Sequence, residues 1–277
     1  MAEFAALTHP GNRDGENQDS IGWDAGQQLW FVADGMGGHA SGEVASRLVK
    51  ETLLAQAATV GVPAAVLMAH EAVMREAEQR GVARGMGSTV VTAQITGDRS
   101  AQIVWVGDSR AYLWRRGELK RLTRDHSYLE LLRAESDLSE TALRDRQGSN
   151  VVTQALGMGT PDPSQALVPL RTGDWLILCS DGLAVELRDE EMAEVLARQA
   201  TPKAAADALF AATMEHGARD NVSIIVIPYE GPSARGTGSL VQTLERTFKG
   251  RSFEWLAVLV GVVLAAAIAL VWKRWIQ

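Results

Sequence analysis

One short stretch, an apolar run that ends in an acidic and glycine-rich segment, constrains this chain most. Residues 29–33 read Leu-Trp-Phe-Val-Ala, which is typical of a buried β-strand, and Asp34 follows directly. Three of the next four residues are glycine. Glycine lets another group approach the backbone closely, and a carboxylate binds hard cations through oxygen. The stretch therefore predicts that the strand ends at Asp34, in either a tight loop or a cation site.

Further aspartates share this setting and favour the cation site. Four of them lie where an apolar strand is expected to meet a turn, and a fifth lies in the sequence ENQD: Asp34, Asp108, Asp181, Asp220 and Asp19. Each alone is typical of a turn or cap residue. Together, at the strand ends of packed sheets, they would repel one another strongly unless cations lay between them. Because the ligands are oxygens and no Cys/His cluster is present, we expect Mg²⁺ or Mn²⁺ rather than zinc.

The chemistry that such a site supports is phosphate ester hydrolysis. Two ions a few ångströms apart make a bridging water acidic and clamp a phosphoryl group for in-line attack. A cationic side chain should hold the remaining phosphate oxygens, and Arg13, close to Asp19, is the candidate. The sequence contains no Walker phosphate loop, no GxGxxG, no HExxH and no GxSxG pattern. Competing chemistries therefore have little support.

Charge and cysteine content limit the partners. The formal net charge is −7, and residues 231–277 carry six basic against two acidic residues, so residues 1–230 carry a net charge of −11. An acidic body argues against a nucleic-acid partner, because phosphate contacts need a basic surface. The single cysteine, Cys179, excludes an internal disulfide and fits a reducing compartment, and its apolar surroundings predict a small buried side chain.

The C-terminal region has a different composition from the body. Residues 255–272 form an 18-residue stretch without a charge, which as a helix would span roughly 27 Å, close to the thickness of a hydrocarbon core. We expect a single-pass membrane anchor, with a buried core or oligomerisation helix as the alternative. The N-terminus shows no secretory signal, so the body is expected in the cytoplasm. The expected organisation is a body over 1–230, a linker and juxtamembrane segment over 231–254, a transmembrane helix over 255–272 and a tail over 273–277.

Strands and helices alternate in groups within the body. Apolar patterning predicts strands over 5–8, 20–23, 28–33, 88–95, 101–106, 111–115, 119–122, 174–179 and 222–228, and helices over 41–58, 63–79, 190–198 and 202–216. Residues 157–163 are expected to form a loop. Because the strands cluster in hairpins with pairs of helices between them, the pattern favours an α+β fold of antiparallel sheets covered by helices.

Seven motifs occur in an order that resembles a known family. RDGENQD, DGMGGHASGEVAS, GSTVV, VGDSRAYLWR, LTRDHS, SDGL and RDNVS follow one another between residues 4 and 228. The chain is similar in this respect to the bacterial members of the metal-dependent type 2C Ser/Thr protein phosphatases. The resemblance implies a four-layer α/β/β/α sandwich of two antiparallel sheets, a pair of Mn²⁺ or Mg²⁺ ions, and hydrolysis of phosphoserine and phosphothreonine without a covalent intermediate.

The resemblance also implies roles for individual residues. Asp34 should bridge the two ions, the Gly35 carbonyl should bind one of them, and Asp181 and Asp220 should bind the other. Asp19 should lie near the ions, directly or through water. The remaining assignments are a third ion at Asp108 with Asp181, organisation of the last loop by Asn221 and Ser223, support of Asp181 by its neighbours Ser180 and Gly182, and a flap over 134–150.

Three departures from the family pattern affect the chemistry. Arg13, the expected phosphate ligand, lies about one residue further from the N-x-D segment that ends at Asp19 than is usual. Gln18 stands where many members have Glu, which removes one charge near the ions. Met36 occupies the place of the histidine proposed as general acid in animal members. The expected function is a membrane-tethered Ser/Thr protein phosphatase that acts on phosphorylated proteins and opposes a Ser/Thr kinase. The alternative is a phosphatase-like sensor that binds phosphoproteins without turnover, which the intact set Asp34, Asp181 and Asp220 disfavours.

Overall fold

Strands predominate in the part of the chain that the computed structural model describes, which comprises residues 3–12, 15–38, 41–82, 85–97, 99–135 and 151–231. The strands are β1 (Ala5–His9), β2 (Asp19–Asp24), β3 (Leu29–Gly37), β4 (Met86–Ser88), β5 (Val90–Thr96), β6 (Ser100–Val106), β7 (Arg110–Arg115), β8 (Glu118–Arg121), β9 (Ser164–Pro169), β10 (Asp174–Cys179) and β11 (Val222–Tyr229). The helices are α1 (Ser41–Val60), α2 (Val62–Gln79), α3 (Tyr128–Glu135), α4 (Asp181–Glu186), α5 (Asp189–Leu196) and α6 (Pro202–His216).

These strands form two sheets. The first has the order β1-β11-β10-β7-β8, and the second has the order β2-β3-β5-β6-β9 with β4 paired to β3. Every pair of neighbouring strands within them runs antiparallel. The predicted α+β class with two antiparallel sheets is confirmed.

Three apolar clusters show how the layers stack. The cluster between the sheets includes Trp30 on β3 and Leu178 on β10. A second cluster joins Phe31 to helices α1 and α2, and a third joins β10 and β11 to helices α4, α5 and α6. Side chains alternate across a strand, so Trp30 and Phe31 face different layers, and both faces of β3 are covered. This double burial explains why the run before Asp34 is apolar throughout rather than alternating.

The strand that carries Asp34 runs further than the sequence predicted. We expected it to end at Asp34, whereas β3 continues to Gly37 and pairs with β4, with Gly35 opposite Ser88. A side chain at residue 35 would place its Cβ 1.9 Å from the Gly42 carbonyl oxygen on α1. The expectation of a turn directly after Asp34 was therefore wrong. Glycine at this position allows α1 to approach β3 closely.

Three other elements differ from the prediction. The strand expected over 88–95 is interrupted at Thr89, which separates β4 from β5. Strand β9 was not predicted, because its sequence is short, polar and bounded by proline, yet it pairs with β6 along the sheet edge. Helix α4 was also not predicted, because its six residues are too few to show a helical period.

The membrane anchor and the flap that the sequence predicts concern other residues. None of the helices described here is long and apolar enough to cross a membrane. Residues 255–272, the expected anchor, lie outside the described residues, as do residues 136–150 of the expected flap.

Candidate metal centre

The predicted aspartates lie at the same end of both sheets. Asp19 begins β2 and lies directly opposite Asp34 on β3 in the second sheet. In the first sheet, β10 ends at Cys179 and α4 begins at Asp181, with Ser180 between them, and Asp220 lies just before β11. Strands β10 and β11 are neighbours. The sandwich therefore brings carboxylates from two sheets towards one site.

The pKa of Asp34 shows how closely these carboxylates interact. Burial raises the pKa of Asp34 well above its ordinary value, and the negative charges of Asp19, Asp181 and Asp108 raise it further. The carboxyl groups of Asp34 and Asp181 also share a hydrogen bond, which favours the protonated form of Asp34. Two carboxylates this close cannot both ionise without a compensating positive charge.

The carboxyl groups of Asp19 and Asp108 are affected in the same way. Burial raises the pKa of Asp19 to about 7, and the charges of Asp181 and Asp220 add to this effect. Burial likewise raises the pKa of Asp108 to about 7, with the charge of Asp181 as the next contribution. Each of the five aspartates that the sequence singled out therefore interacts electrostatically with at least one other of the set.

Asp19 has one occupied and one orphaned oxygen. The Ser180 hydroxyl donates to Asp19 Oδ2 at 2.7 Å, and the Ser223 backbone N–H donates to Ser180 Oγ at 3.0 Å. Asp19 Oδ1 is buried and has no hydrogen-bond partner. Because a buried polar atom without a partner is costly, this oxygen is suited to a cation or a water bound to one.

Asn221 links the three segments that surround the site. Its side-chain amide donates to the Pro10 carbonyl at 2.9 Å, and its Oδ1 accepts from the Gln18 backbone N–H at 2.8 Å. Helix α4 packs directly on the same loop, since a Cβ at Gly182 would lie 2.0 Å from the Asn221 carbonyl oxygen. Asn221, Ser180 and Gly182 thus lie beside the carboxylates, where the sequence placed them as supporting residues.

Two hydroxyl groups that we did not assign hold the backbone of Asp34. The Asp34 N–H donates to Thr89 Oγ1 at 3.1 Å, and the Thr89 N–H donates to the Asp34 carbonyl at 2.8 Å. Thr89 Oγ1 also makes a 2.7 Å hydrogen bond with Ser109 Oγ. Thr89 and Ser109 belong to the sequence motifs GSTVV and GDS. The motifs did not predict this role because neither hydroxyl is a typical metal ligand.

The described carboxylates do not form a preformed metal site. Among residues 3–231, apart from the gaps given above, no three His, Cys, Asp or Glu side chains are placed to hold one ion between them. The donor set nevertheless fits a hard cation: it consists of oxygens, the carboxyl groups of Asp19, Asp34 and Asp108 have raised pKa values, and one buried oxygen has no hydrogen-bond partner. Arg13, the expected phosphate ligand, lies outside the described residues.

Comparison with known proteins gives the family. The family model described as Protein phosphatase 2C matches residues 11–222. The chain belongs to the protein phosphatase 2C family. The serine/threonine protein phosphatase PstP of Mycobacterium tuberculosis is 33% identical over 235 residues, which are 82% of this chain and 45% of PstP. The chain thus spans less than half the length of that relative.

Two further relatives agree with this phosphatase 2C assignment. The serine/threonine phosphatase stp of Listeria monocytogenes is 32% identical over 224 residues, which are 76% of this chain and 86% of stp. The solved catalytic domain of PstP, in complex with two manganese ions, superposes with a TM-score of 0.73 at 31% identity, covering 82% of this chain and 97% of that one. The two-sheet architecture is therefore the phosphatase 2C fold.

Proposed function

We propose that this phosphatase 2C chain hydrolyses phosphoserine and phosphothreonine in proteins and depends on Mn²⁺ or Mg²⁺. The observation that carries the proposal is the convergence of five aspartates, from separate segments of two sheets, on one site. The raised pKa values of Asp19, Asp34 and Asp108 mean that full ionisation of these carboxyl groups is unfavourable without added positive charge. Divalent ions would supply the missing positive charge.

Particular residues would hold these ions. Asp34, Asp181, Asp220 and the Gly35 carbonyl would bind two of them, and Asp108 with Asp181 would bind a third. When bound, such ions acidify a water and neutralise charge on the phosphoryl group. Manganese in the PstP catalytic domain supports the choice of cofactor.

The chain's own residues position this set. The Ser180 hydroxyl orients Asp19, and Thr89 fixes the backbone of Asp34. Asn221 ties the loop that carries Asp220 to the segment before β2, so that a shift in one segment moves the others. Arg13 is proposed to hold phosphate oxygens that the ions leave free.

Turnover of a phosphothreonine peptide, measured with and without Mn²⁺, tests this function. We expect phosphate release that requires Mn²⁺ and that is lost in Asp34→Asn and Asp220→Asn. The full chain, purified in mild detergent, should be used. Binding of the phosphopeptide without turnover at saturating Mn²⁺ would instead support the phosphoprotein sensor.

A membrane location is a second part of the proposal. Residues 255–272 are uncharged, begin with Trp255 and end with Trp272, and Lys273 and Arg274 follow them. This pattern supports a single-pass anchor, with the catalytic domain in the cytoplasm. Tethering would raise the effective concentration of the phosphatase near a membrane Ser/Thr kinase, which we propose as its opponent.

Cell fractionation tests the anchor. The full chain should sediment with membranes, and deletion of residues 255–277 should release it into the supernatant. Full-length protein found in the supernatant would contradict the anchor. Release of phosphate from an autophosphorylated membrane Ser/Thr kinase would test the proposed partner.

A further inference from the structure

An ion pair with a buried carboxylate and an exposed guanidinium joins the two segments that carry Asp181 and Asp220. Glu186, the last residue of α4, accepts three hydrogen bonds from Arg219: from the backbone N–H at 3.0 Å, from Nε at 3.0 Å and from Nη2 at 2.9 Å. The Glu186 side chain is only 2% exposed, whereas that of Arg219 is 78% exposed. The burial of the acceptor distinguishes this pair from ordinary surface ion pairs.

The position of the pair relative to the carboxylates is specific. Asp181 begins α4 and Glu186 ends it, so the helix is a rigid link of about 7.5 Å between them, at 1.5 Å per residue. Arg219 immediately precedes Asp220 in the chain. A hollow of about 270 Å³ is lined by both ion-pair residues and both aspartates, together with Gly182 and Val185.

The loop that carries Asp220 has a backbone that needs to be held. Gly217 and Ala218 have φ values of 121° and 41°, and the second is unusual for a residue with a side chain. The imidazole Nδ1 of His216 makes a 2.9 Å hydrogen bond with the Glu186 carbonyl oxygen, so α4 contacts this loop at both ends of the turn. Without such contacts, the loop would have other conformations available.

We propose that the Glu186–Arg219 ion pair is a positioning device that sets the separation of Asp181 and Asp220 before metal ions bind. The inference rests on the proposed two-ion phosphatase function. Like-charged carboxylates repel one another, and a link from the end of α4 to the residue before Asp220 opposes their separation. Metal binding then does not have to order the loop, so ion affinity is higher.

The chain offers a control pair with the same donors and a more exposed acceptor, since the Glu191 side chain is 32% exposed. Glu191 accepts from the backbone N–H, Nε and Nη2 of Arg188 at 2.9, 3.2 and 3.1 Å, which is the same set of donors. This second pair lies at the start of α5 and joins neighbouring residues rather than two ligand-bearing segments. Glu191→Ala therefore removes three hydrogen bonds of the same kind but leaves the link between the segments of Asp181 and Asp220 intact.

Calorimetric titration of the full chain with Mn²⁺, without substrate, tests the proposal. Outer contacts of metal ligands typically contribute a factor of 10–100 to affinity, so Glu186→Ala should weaken Mn²⁺ binding about 10-fold or more. The Mn²⁺ concentration for half-maximal activity should rise by the same factor, while kcat at saturating Mn²⁺ changes little. Arg219→Ala should show a smaller loss because its backbone N–H remains, and Glu191→Ala should bind Mn²⁺ as the wild type does.

The outcomes separate positioning from a merely structural role. A wild-type Mn²⁺ affinity in Glu186→Ala, or an equal loss in Glu191→Ala, would overturn the proposal, whatever the change in melting temperature. If Glu186→Ala fails to fold, Arg219→Ala carries the test, because its side chain is mostly in solvent. Wild-type protein that binds Mn²⁺ without releasing phosphate would refute the proposed function while leaving this inference intact.

Discussion

The metal-free protein should lose stability as the pH rises from about 4 to about 7. Burial raises the pKa of Asp19 to about 7, whereas an aspartate in an unfolded chain titrates near 3.9. Between these values the folded state binds more protons than the unfolded state, so the free energy of unfolding falls as pH rises. The stabilising protonation is complete below the unfolded pKa and is lost as pH passes through the folded pKa.

The size of this effect follows from the pKa difference. Because one pKa unit corresponds to about 1.4 kcal/mol, a rise from 3.8 to about 7 corresponds to at most about 4 kcal/mol for Asp19. The substitution Asp19→Asn removes this titration and keeps the shape of the side chain. Its side-chain NH2 group, in the place of the orphaned Oδ1, would be a buried donor without a partner and would cost about 1–3 kcal/mol at every pH. The informative quantity is therefore the change in stability between pH 5 and pH 8, not its value at one pH.

Urea unfolding in EDTA, followed by circular dichroism from pH 5 to pH 8, measures this quantity. The wild type should become less stable across the range, and Asp19→Asn should show a clearly shallower decline. Asp108→Asn offers an independent repeat, because burial also raises the pKa of Asp108 to about 7. Wild-type stability that is flat or rises with pH, or an unchanged slope in both variants, would refute the reasoning.

Three further predictions concern the site. Asp34→Asn and Asp220→Asn should remain folded but lose phosphatase activity, because each removes an ion ligand; activity retained in both would show that the assignment is wrong. Mn²⁺ at 100 times its Kd should stabilise the protein by about 2.7 kcal/mol, reversibly with EDTA, and an unchanged melting temperature would contradict this. Ser180→Ala should lower the free energy of unfolding by about 1–3 kcal/mol in urea titrations, because Asp19 Oδ2 and the Ser223 N–H lose their partner; wild-type stability would contradict it.

The sequence predicted the carboxylate cluster because its signal is local. Asp34, Asp108 and Asp181 each follow an apolar segment, and antiparallel sheets bring such ends together. The aspartate motifs also occur in the order of the phosphatase 2C family, so the family could be expected before the fold was known. The arrangement of sheets and helices in layers could be expected from the apolar patterning of the segments and from the order of the motifs.

The features that the sequence did not predict depend on tertiary contacts. Glu186 and Arg219 are 33 residues apart, and nothing in either local pattern indicates that they pair. The glycines after Asp34 fit a loop and a closely packed strand equally well, and the choice depends on α1 lying against β3. Strand β9 has too few apolar residues to be recognised without its partner β6.

Anomalous X-ray diffraction from crystals grown with Mn²⁺ would locate the ions relative to the aspartates. We expect two strong manganese peaks, with Asp34 contacting both and with Asp181 and Asp220 contacting one of them. Manganese bound elsewhere on the chain, with these three carboxylates turned away from it, would show that the aspartates are not the metal site.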